Sequence, residues 1–478
     1  MSNEIEEKNG WVKVRSRGDN GWIKTSEVQK ERILEVNFVD IGQGDGCHVV
    51  MPDDRHFVID AGEGDNMHRF LSWRYNLRRK KNSMNDLTAI ISHPDQDHYK
   101  GFQQLFDNSQ LSFSKIYHNG LVERANDPSS TLGSSTKIKG RKYLNDIIKD
   151  DASMKALLND PSKRYRKNYP KTLYKAIQNP SNSNVEFNIL HKDRKFVPGY
   201  EDDKDVTLKV LGPILEKDDS GTSVLKYFKS PGKTKNGHSV ILKLEIGKLK
   251  VLLGGDLNIE SENFLLEKYT GVAPDKLKKK IHKEEDQDKL EVLNKQWSEM
   301  IEKGTEVFRS DVAKACHHGS HHFTTEYLQS VDAIATVISS GDNESHCHPR
   351  PDALGAFGKY GRGERPLIFS TELARSHKET IKKPHEYKRS ISYHVGKIDK
   401  ETDPDKKKKL EKKLDQILAT IERTVAVYGM ICLRTDGDKA IITQKLETPR
   451  GKDAKWDIHE LIYNDSRKEF EYKVKLKH

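Results

Sequence analysis

Apolar and polar positions along this chain fall mostly into short, strand-like periods. ILEVNFVDIGQGDGCHVVMP, from Ile33 to Pro52, gives two apolar, β-branched runs around a Gly-rich turn, and HFVIDAG, ending at Gly62, gives a third. A helix-like stretch from Met67 to Lys81 precedes LTAIISH, a continuous apolar run ending at His93 that predicts a buried strand. VTLKVLGP, SVILKLEIG and LKVLLGGDL predict three more strands, the last running out at Asp256, and AIATVISSG and PLIFSTEL predict two others. The layout is strand-dominated α/β, with its polar clusters at strand ends. Near the amino terminus, GWVKV from Gly10 and GWIKT from Gly21 are separated by the turn-forming run RSRGDN, which predicts a β-hairpin laid on the main domain.

Three segments break this pattern. Residues from about 119 to 205 are polar, Lys-rich and poor in strand signals. Residues from about 273 to 305 carry KLKKK before a helical pattern of Leu290, Leu293, Trp297 and Met300, and those from about 374 to 423 carry DKKKKLEKK and an amphipathic helix with Leu410, Leu414, Ile417, Leu418 and Ile421 on one face. They read as insertions, their charge runs as the wet sides of helices. The expected organisation is a hairpin extension over 1–32, one domain over 33–446 carrying the three insertions, and a C-terminal extension over 447–478.

Composition narrows the class. With 478 residues, 34% hydrophobic and 33% charged, the chain is long enough for a sizeable core and too apolar to be wholly disordered. No apolar run approaches the roughly 18 residues of a membrane-spanning helix, and MSNEIEEKNG has no secretory pattern. The four cysteines, Cys47, Cys316, Cys347 and Cys432, form no CxxC pair, so a reducing compartment, the cytoplasm, is expected. Lys and Arg total 83 against 73 Asp and Glu, a net charge of +10 that suits an anionic partner such as nucleic acid.

The sharpest chemical signal is SHPDQDHYKG, which puts His93, Asp95, Asp97 and His98 within six residues just after an apolar strand. Two carboxylates and two imidazoles crowded there repel one another and lose solvation unless a cation compensates, so a metal is expected. ACHHGSHHFTTEYL adds His317, His318, His321 and His322, and ISSGDNESHCHPRPDAL adds His346 and His348.

At these residues the chain resembles the metallo-β-lactamase superfamily, whose loop usually reads HxHxDH; here Asp95 stands at the second His. The HxDxDH spelling, with VDIGQGDG from Val39 to Gly46 and HHGS from His317 to Ser320, resembles the hydrolase domain of the ComEC family of DNA-uptake proteins. GWVKVRSRGDNGWI similarly resembles the last two strands of a bacterial SH3-like module. The resemblance implies an αββα sandwich with helical insertions and an SH3-like hairpin at its amino terminus. It also implies two divalent ions, Zn²⁺ or Mn²⁺, the oxygen-rich ligand set making Mn²⁺ a serious competitor. One ion would take His93 and Asp95, the other Asp97 and His98, with Asp256 of GGDL bridging them. His238 or Asn236, in NGHSVILKL, falls where the superfamily expects a further His ligand. His318 and His348 match the positions at which one completes the second ion's ligands while the other binds an anionic oxygen or protonates the leaving group. Asp60 and Asp45 would support the metal loop by hydrogen bonds and a tight turn, and His317, His321, His322 and His346 would lie outside the ligand set.

The function expected from this set is hydrolysis by a metal-activated hydroxide, with DNA as the substrate. Asp97, His318 and His348 are the catalytic candidates. A small-molecule hydrolase acting on a cyclic nucleotide, phosphorylated metabolite or lactone is the alternative within enzymes, and a non-catalytic assembly subunit the alternative outside them. The insertions and the hairpin are candidate protein-docking surfaces.

Overall fold

The computed structural model describes residues 7–16, 19–28, 32–124, 132–164, 167–182, 184–341, 347–371, 384–427, 429–446 and 456–473. Strands predicted from the apolar runs fall into two mixed sheets. In the ten-stranded sheet the order is Glu186–Ile189, Leu111–His118, Met84–Ile90, His56–Ala61, Gly46–Val50, Leu34–Phe38, Ile431–Thr435, Lys439–Lys445, Trp456–Asn464 and Glu469–Tyr472. Its first four strands are parallel and the rest antiparallel. A six-stranded sheet runs Val206–Gly212, Ile241–Ile246, Leu249–Leu253, Val312–Lys314, Ala335–Ile338 and Leu367–Ser370, antiparallel at the first two pairings and parallel from Leu249–Leu253 onward.

The two sheets share one core. Val36, Val49 and Phe57 of the larger sheet pack in the same buried cluster as Leu208, Leu244, Val251 and Val337 of the smaller. The larger sheet's outer face carries Leu87, Phe113 and Ile116 against Phe70, Phe102, Phe106 and Leu173 of helices, and the smaller sheet's outer face carries Ile241, Leu252 and Ala313 against Phe264, Leu265, Phe308 and Tyr327. The layers therefore run helix, sheet, sheet, helix. Strands covered on both faces read as continuous apolar runs rather than alternating ones, which is why LTAII and VILKL stand out.

Several expectations shift. The helix begun at Met67 runs Asn66–Tyr75 and stops short of Lys81, because Asn76 takes a left-handed conformation, φ 53°, that caps it. The amino-terminal hairpin gains a third strand: Glu7–Lys8 pairs with Trp11–Ser16, which pairs with Asp19–Lys24. Residues 119–205, poor in strand signals, nonetheless form strands. They supply Ser135–Ile138 and Arg141–Leu144 to a separate four-stranded sheet, Glu186–Ile189 to the edge of the ten-stranded one, and Tyr169, Leu173 and Ala176 to its outer core. Beyond residue 446, Trp456–Asn464 and Glu469–Tyr472 extend the same large sheet. Among the described residues no helix is long and apolar enough to cross a membrane.

Candidate metal centre

The parallel strands of both sheets run out at one edge, and the loops that follow them carry the charged motifs. Strand Met84–Ile90 hands the chain to Ser92 and His93, and Asp95 precedes the short helix Gln96–Tyr99, which carries Asp97 and His98. From the other sheet, Leu249–Leu253 leads into Asp256, Val312–Lys314 into His317 and His318, and Ala335–Ile338 into Ser339. Two glycines permit the approach. A Cβ on Gly44 would collide with the backbone carbonyl of Asp97, and Gly255, with φ +55°, turns the chain directly before Asp256 against Ser239.

Here the imidazoles of His93, His98 and His318 converge on Asp256. Nε2 of His98 lies 3.1 Å and Nε2 of His318 lies 3.2 Å from Asp256 Oδ2, and the His93 and His98 rings are 4.1 Å apart between centroids. Asp97 approaches from the open side, 3.5 Å from His318 Nε2 and 4.0 Å from His98 Nε2. His93, His98 and Asp256 form one group of possible ligands; Asp97, His98 and His318 form a second; Asp45, Asp256 and His318 a third.

Each of the three imidazoles has its other nitrogen, Nδ1, engaged from behind. Nδ1 of His98 is 2.8 Å from Asp60 Oδ2, that of His318 is 3.0 Å from the Ser339 carbonyl, and that of His93 lies between Ser92 Oγ at 3.0 Å and Ser239 Oγ at 3.3 Å. A proton on Nδ1 leaves the Nε2 lone pair facing the common cavity. Among the described residues, Nε2 of all three, together with Asp256 Oδ1, are buried and make no hydrogen bond beyond the close approach of His98 and His318 to Asp256 Oδ2. Buried polar atoms are rarely left so. Three orphaned nitrogens aimed at a carboxylate, each fixed by a partner behind it, fit a divalent metal ion.

Electrostatics point the same way. Burial works against charge on His98, yet Asp256 and Asp60 hold its pKa well above the ordinary imidazole value; Asp256 and Asp45 do the same for His318. Burial likewise disfavours ionised Asp256, and His318 and His98 outweigh it, keeping the carboxyl well below its usual range. Asp97 is lowered too, against burial, by His318 and His98. The carboxylates around these imidazoles thus favour positive charge at the centre.

Some site residues have no obvious signal in the sequence. Lys314, buried at the end of an apolar strand, contacts Asp45, lies 3.8 Å from Asp256 Oδ1 and donates to the Gly255 carbonyl at 3.0 Å. Ser239, next to His238 in NGHSVILKL, faces the centre: its Oγ accepts from the Asp256 backbone N–H at 3.0 Å. A charged residue closing the run VAK and a serine opening a strand are the available hints.

The remaining expectations fall as follows. His238 is buried but turned away; its Nε2 is 2.7 Å from the Lys226 carbonyl, its ring packs on Phe228, and burial lowers its pKa to about 4. Asp95 stands 3.6 Å from His93 Nε2, while its carboxylate contacts Lys235 and, with the amide of Asn236 turned to donate, that side chain at 2.8 Å. Asp60, with φ 55°, accepts from the Ser92 backbone N–H at 2.8 Å and hydroxyl at 2.6 Å; Asp45 lies 3.1 Å from His318 Nδ1. The ring of His348 is 6.1 Å from that of His318 and 5.7 Å from that of His317, outside all the ligand groups. His317 has its pKa lowered to about 4 by burial, and it stacks on His322, which in turn lies against His321. His346 lies outside the described residues.

No protein-family model matches the chain, and no curated protein matches it. Among solved structures it is similar to Tm1679, described as a metal-dependent hydrolase of the β-lactamase superfamily, at TM-score 0.32 and 12% identity, covering 70% of this chain and 95% of that one. It is also similar to CmlA, a diiron β-hydroxylase from Streptomyces venezuelae, at TM-score 0.28 and 8% identity, covering 70% of this chain and 51% of that one. Both scores are low, and the chemistry of the centre follows from its own side chains.

Proposed function

We propose that the chain is a metal-dependent hydrolase acting on phosphodiesters of DNA. The observation that carries the hydrolase reading is the convergence of three buried, orphaned Nε2 atoms on Asp256, each imidazole fixed through its Nδ1. His93, His98, His318, Asp97 and Asp256 would hold two divalent ions, with Asp95 at the margin of the first. Zn²⁺ or Mn²⁺ bound there supplies Lewis acidity and a nucleophile from water at neutral pH. Asp60 and Asp45 keep the imidazoles oriented. His348, beside His318 but outside the ligand groups, would bind an anionic oxygen of the substrate or protonate the leaving oxygen. The phosphodiester assignment draws on the ComEC-like spelling HPDQDH with HHGS, and on the net charge of +10.

The test is a panel of single- and double-stranded DNA and RNA incubated with Mn²⁺, Zn²⁺ or Mg²⁺. An Asp97→Ala, His98→Ala protein serves as control. Metal-dependent cleavage of DNA that disappears in the control is the expected outcome. Equal cleavage by both proteins would expose a contaminant, and no cleavage under any condition would move the substrate to small molecules.

A further inference from the structure

The amino-terminal sheet plays no part in the metal centre, yet its two faces differ sharply. Trp11–Ser16 is the central strand, with Glu7–Lys8 on one side and Asp19–Lys24 on the other. Lys8 lies directly opposite Trp11, Trp11 opposite Lys24, and Lys13 opposite Trp22. Residues paired across a ladder share a face, and so do residues two apart in a strand. All five therefore lie on one side: three lysines interleaved with two tryptophans. On the reverse side the central Val12 is 4% exposed and its cross-strand partner Ile23 37% exposed, whereas both tryptophans stand out on the first side.

Each tryptophan is 41% exposed, although burying an indole is among the larger gains open to a side chain. Packing of the domain does not account for them. Lys24 Nζ lies 6.0 Å from the Trp11 ring centre and Lys13 Nζ 5.8 Å from that of Trp22, so each ring sits beside a cation at the limit of a cation–π interaction. Trp11 and Trp22 are diagonal neighbours, a relation that separates their backbones by about 7–8 Å and lets each ring meet a different base.

We infer that this face binds single-stranded DNA, stacking bases on Trp11 and Trp22 while Lys8, Lys13 and Lys24 meet the phosphates. The inference rests on the proposed nucleic-acid substrate and adds its strandedness. Rings project from a flat sheet and can reach only bases whose π-faces are open; a duplex hides those faces in its stack. An acidic peptide would satisfy the lysines and leave the indoles without a partner.

The experiment is fluorescence anisotropy with the full chain, loaded with Mn²⁺, and a labelled phosphorothioate dT16, which resists cleavage. A duplex of the same length and a poly-glutamate peptide serve as competitors. Trp11→Ala with Trp22→Ala should weaken dT16 binding by about thirtyfold, the low end for removing two base stacks, while metal content stays unchanged. Replacing Lys8 and Lys24 by Ala should lower the slope of log K on log salt by about 0.7 for each lysine–phosphate pairing removed. Unchanged dT16 affinity in the tryptophan variant, equal affinity for duplex, or displacement by poly-glutamate alone would overturn the inference. Binding through this face without cleavage of any substrate would uphold it and defeat the proposed activity; cleavage with tryptophan-independent binding would do the reverse.

Discussion

Replacing Asp60 by Asn would test the centre from behind. The carboxylate, 2% exposed, receives the Ser92 backbone N–H on Oδ1 at 2.8 Å, and the Ser92 hydroxyl at 2.6 Å and His98 Nδ1 at 2.8 Å on Oδ2. Asn tolerates the left-handed backbone at this position, so the fold survives locally. Its amide, however, accepts with only one of its two ends. With the carbonyl kept on the Ser92 N–H, the NH2 faces His98 Nδ1, which must then give up its proton; the proton moves to Nε2 and blocks the lone pair aimed at the cavity. The opposite orientation sets NH2 against the Ser92 N–H. Hydrogen bonds to a charged group contribute about 1.5–3 kcal/mol each, so weakening two of them costs about 2–4 kcal/mol of stability. Removal of such an outer partner typically lowers metal affinity by about 10–100-fold, equivalent to about 1.4–2.8 kcal/mol. Competition against a chromophoric chelator measures the affinity, and circular dichroism confirms folding. A folded Asp60→Asn protein that binds Zn²⁺ and Mn²⁺ within about threefold of the parent would refute the role assigned to Asp60 and the tautomer assigned to His98.

Two further outcomes follow from the same geometry. His238→Gln should leave metal stoichiometry unchanged, because Nε2 of His238 is committed to the Lys226 carbonyl; elemental analysis that found an ion missing would make His238 a ligand after all. For pH, the raised pKa values of His98 and His318 in the ion-free centre mean that their stabilising contribution is full below about pH 6.5 and is lost as pH climbs through the folded values. A metal ion must displace those protons, so its apparent affinity should rise with pH, by up to about two decades per unit while both are bound. Melting curves with chelator should therefore move down as pH is raised from neutrality, while those with saturating metal stay nearly level, because the gain in metal affinity offsets the loss in the ion-free protein; parallel shifts would contradict the displaced-proton picture.

What the sequence revealed and what it concealed follow from range of interaction. Strands such as Gly46–Val50 and Leu249–Leu253 were legible because nearly every residue of each is buried and their apolar residues stand together, a property of neighbouring residues alone. His93, Asp97 and His98 were legible because their charges crowd within a short stretch of chain. Lys314 was not: its meaning comes from Asp45, far away in sequence and on the opposite sheet. His238 and Ser239 show the finer limit. They are adjacent and both buried, and at a strand entrance one of two successive side chains faces the site while the other faces away; composition drew attention to His238, and Ser239 is the one that reaches His93. Ser135–Ile138, Glu186–Ile189 and Glu469–Tyr472 were hidden because each pairs at an edge, where polar residues are tolerated, and Arg141–Leu144 and Trp456–Asn464, though paired on both sides, carry exposed or half-buried polar residues that weaken the apolar pattern.

The partition of the centre between the sheets also bears on how many ions it needs. His93, Asp97, His98, Asp45 and Asp60 belong to the larger sheet's edge, and Asp256, His318 and Lys314 to the smaller one's. Asp95 is set aside by its pairing with Lys235, leaving Asp45, Asp60, Asp97 and Asp256 facing a single ammonium. Four carboxylates against one lysine leave three negative charges in a buried volume where each uncompensated charge costs several kcal/mol. Without metal, protons on His98 and His318 cancel two of them, in keeping with the raised pKa of both. One divalent ion that displaced those protons would leave a residual negative charge and repel a phosphate. Two would leave a single positive one, which the hydroxide of the proposed reaction would cancel, and would bind the edges of the two sheets to each other through ligands drawn from both. The charge count is thus compatible with the pair of ions proposed for the phosphodiester reading.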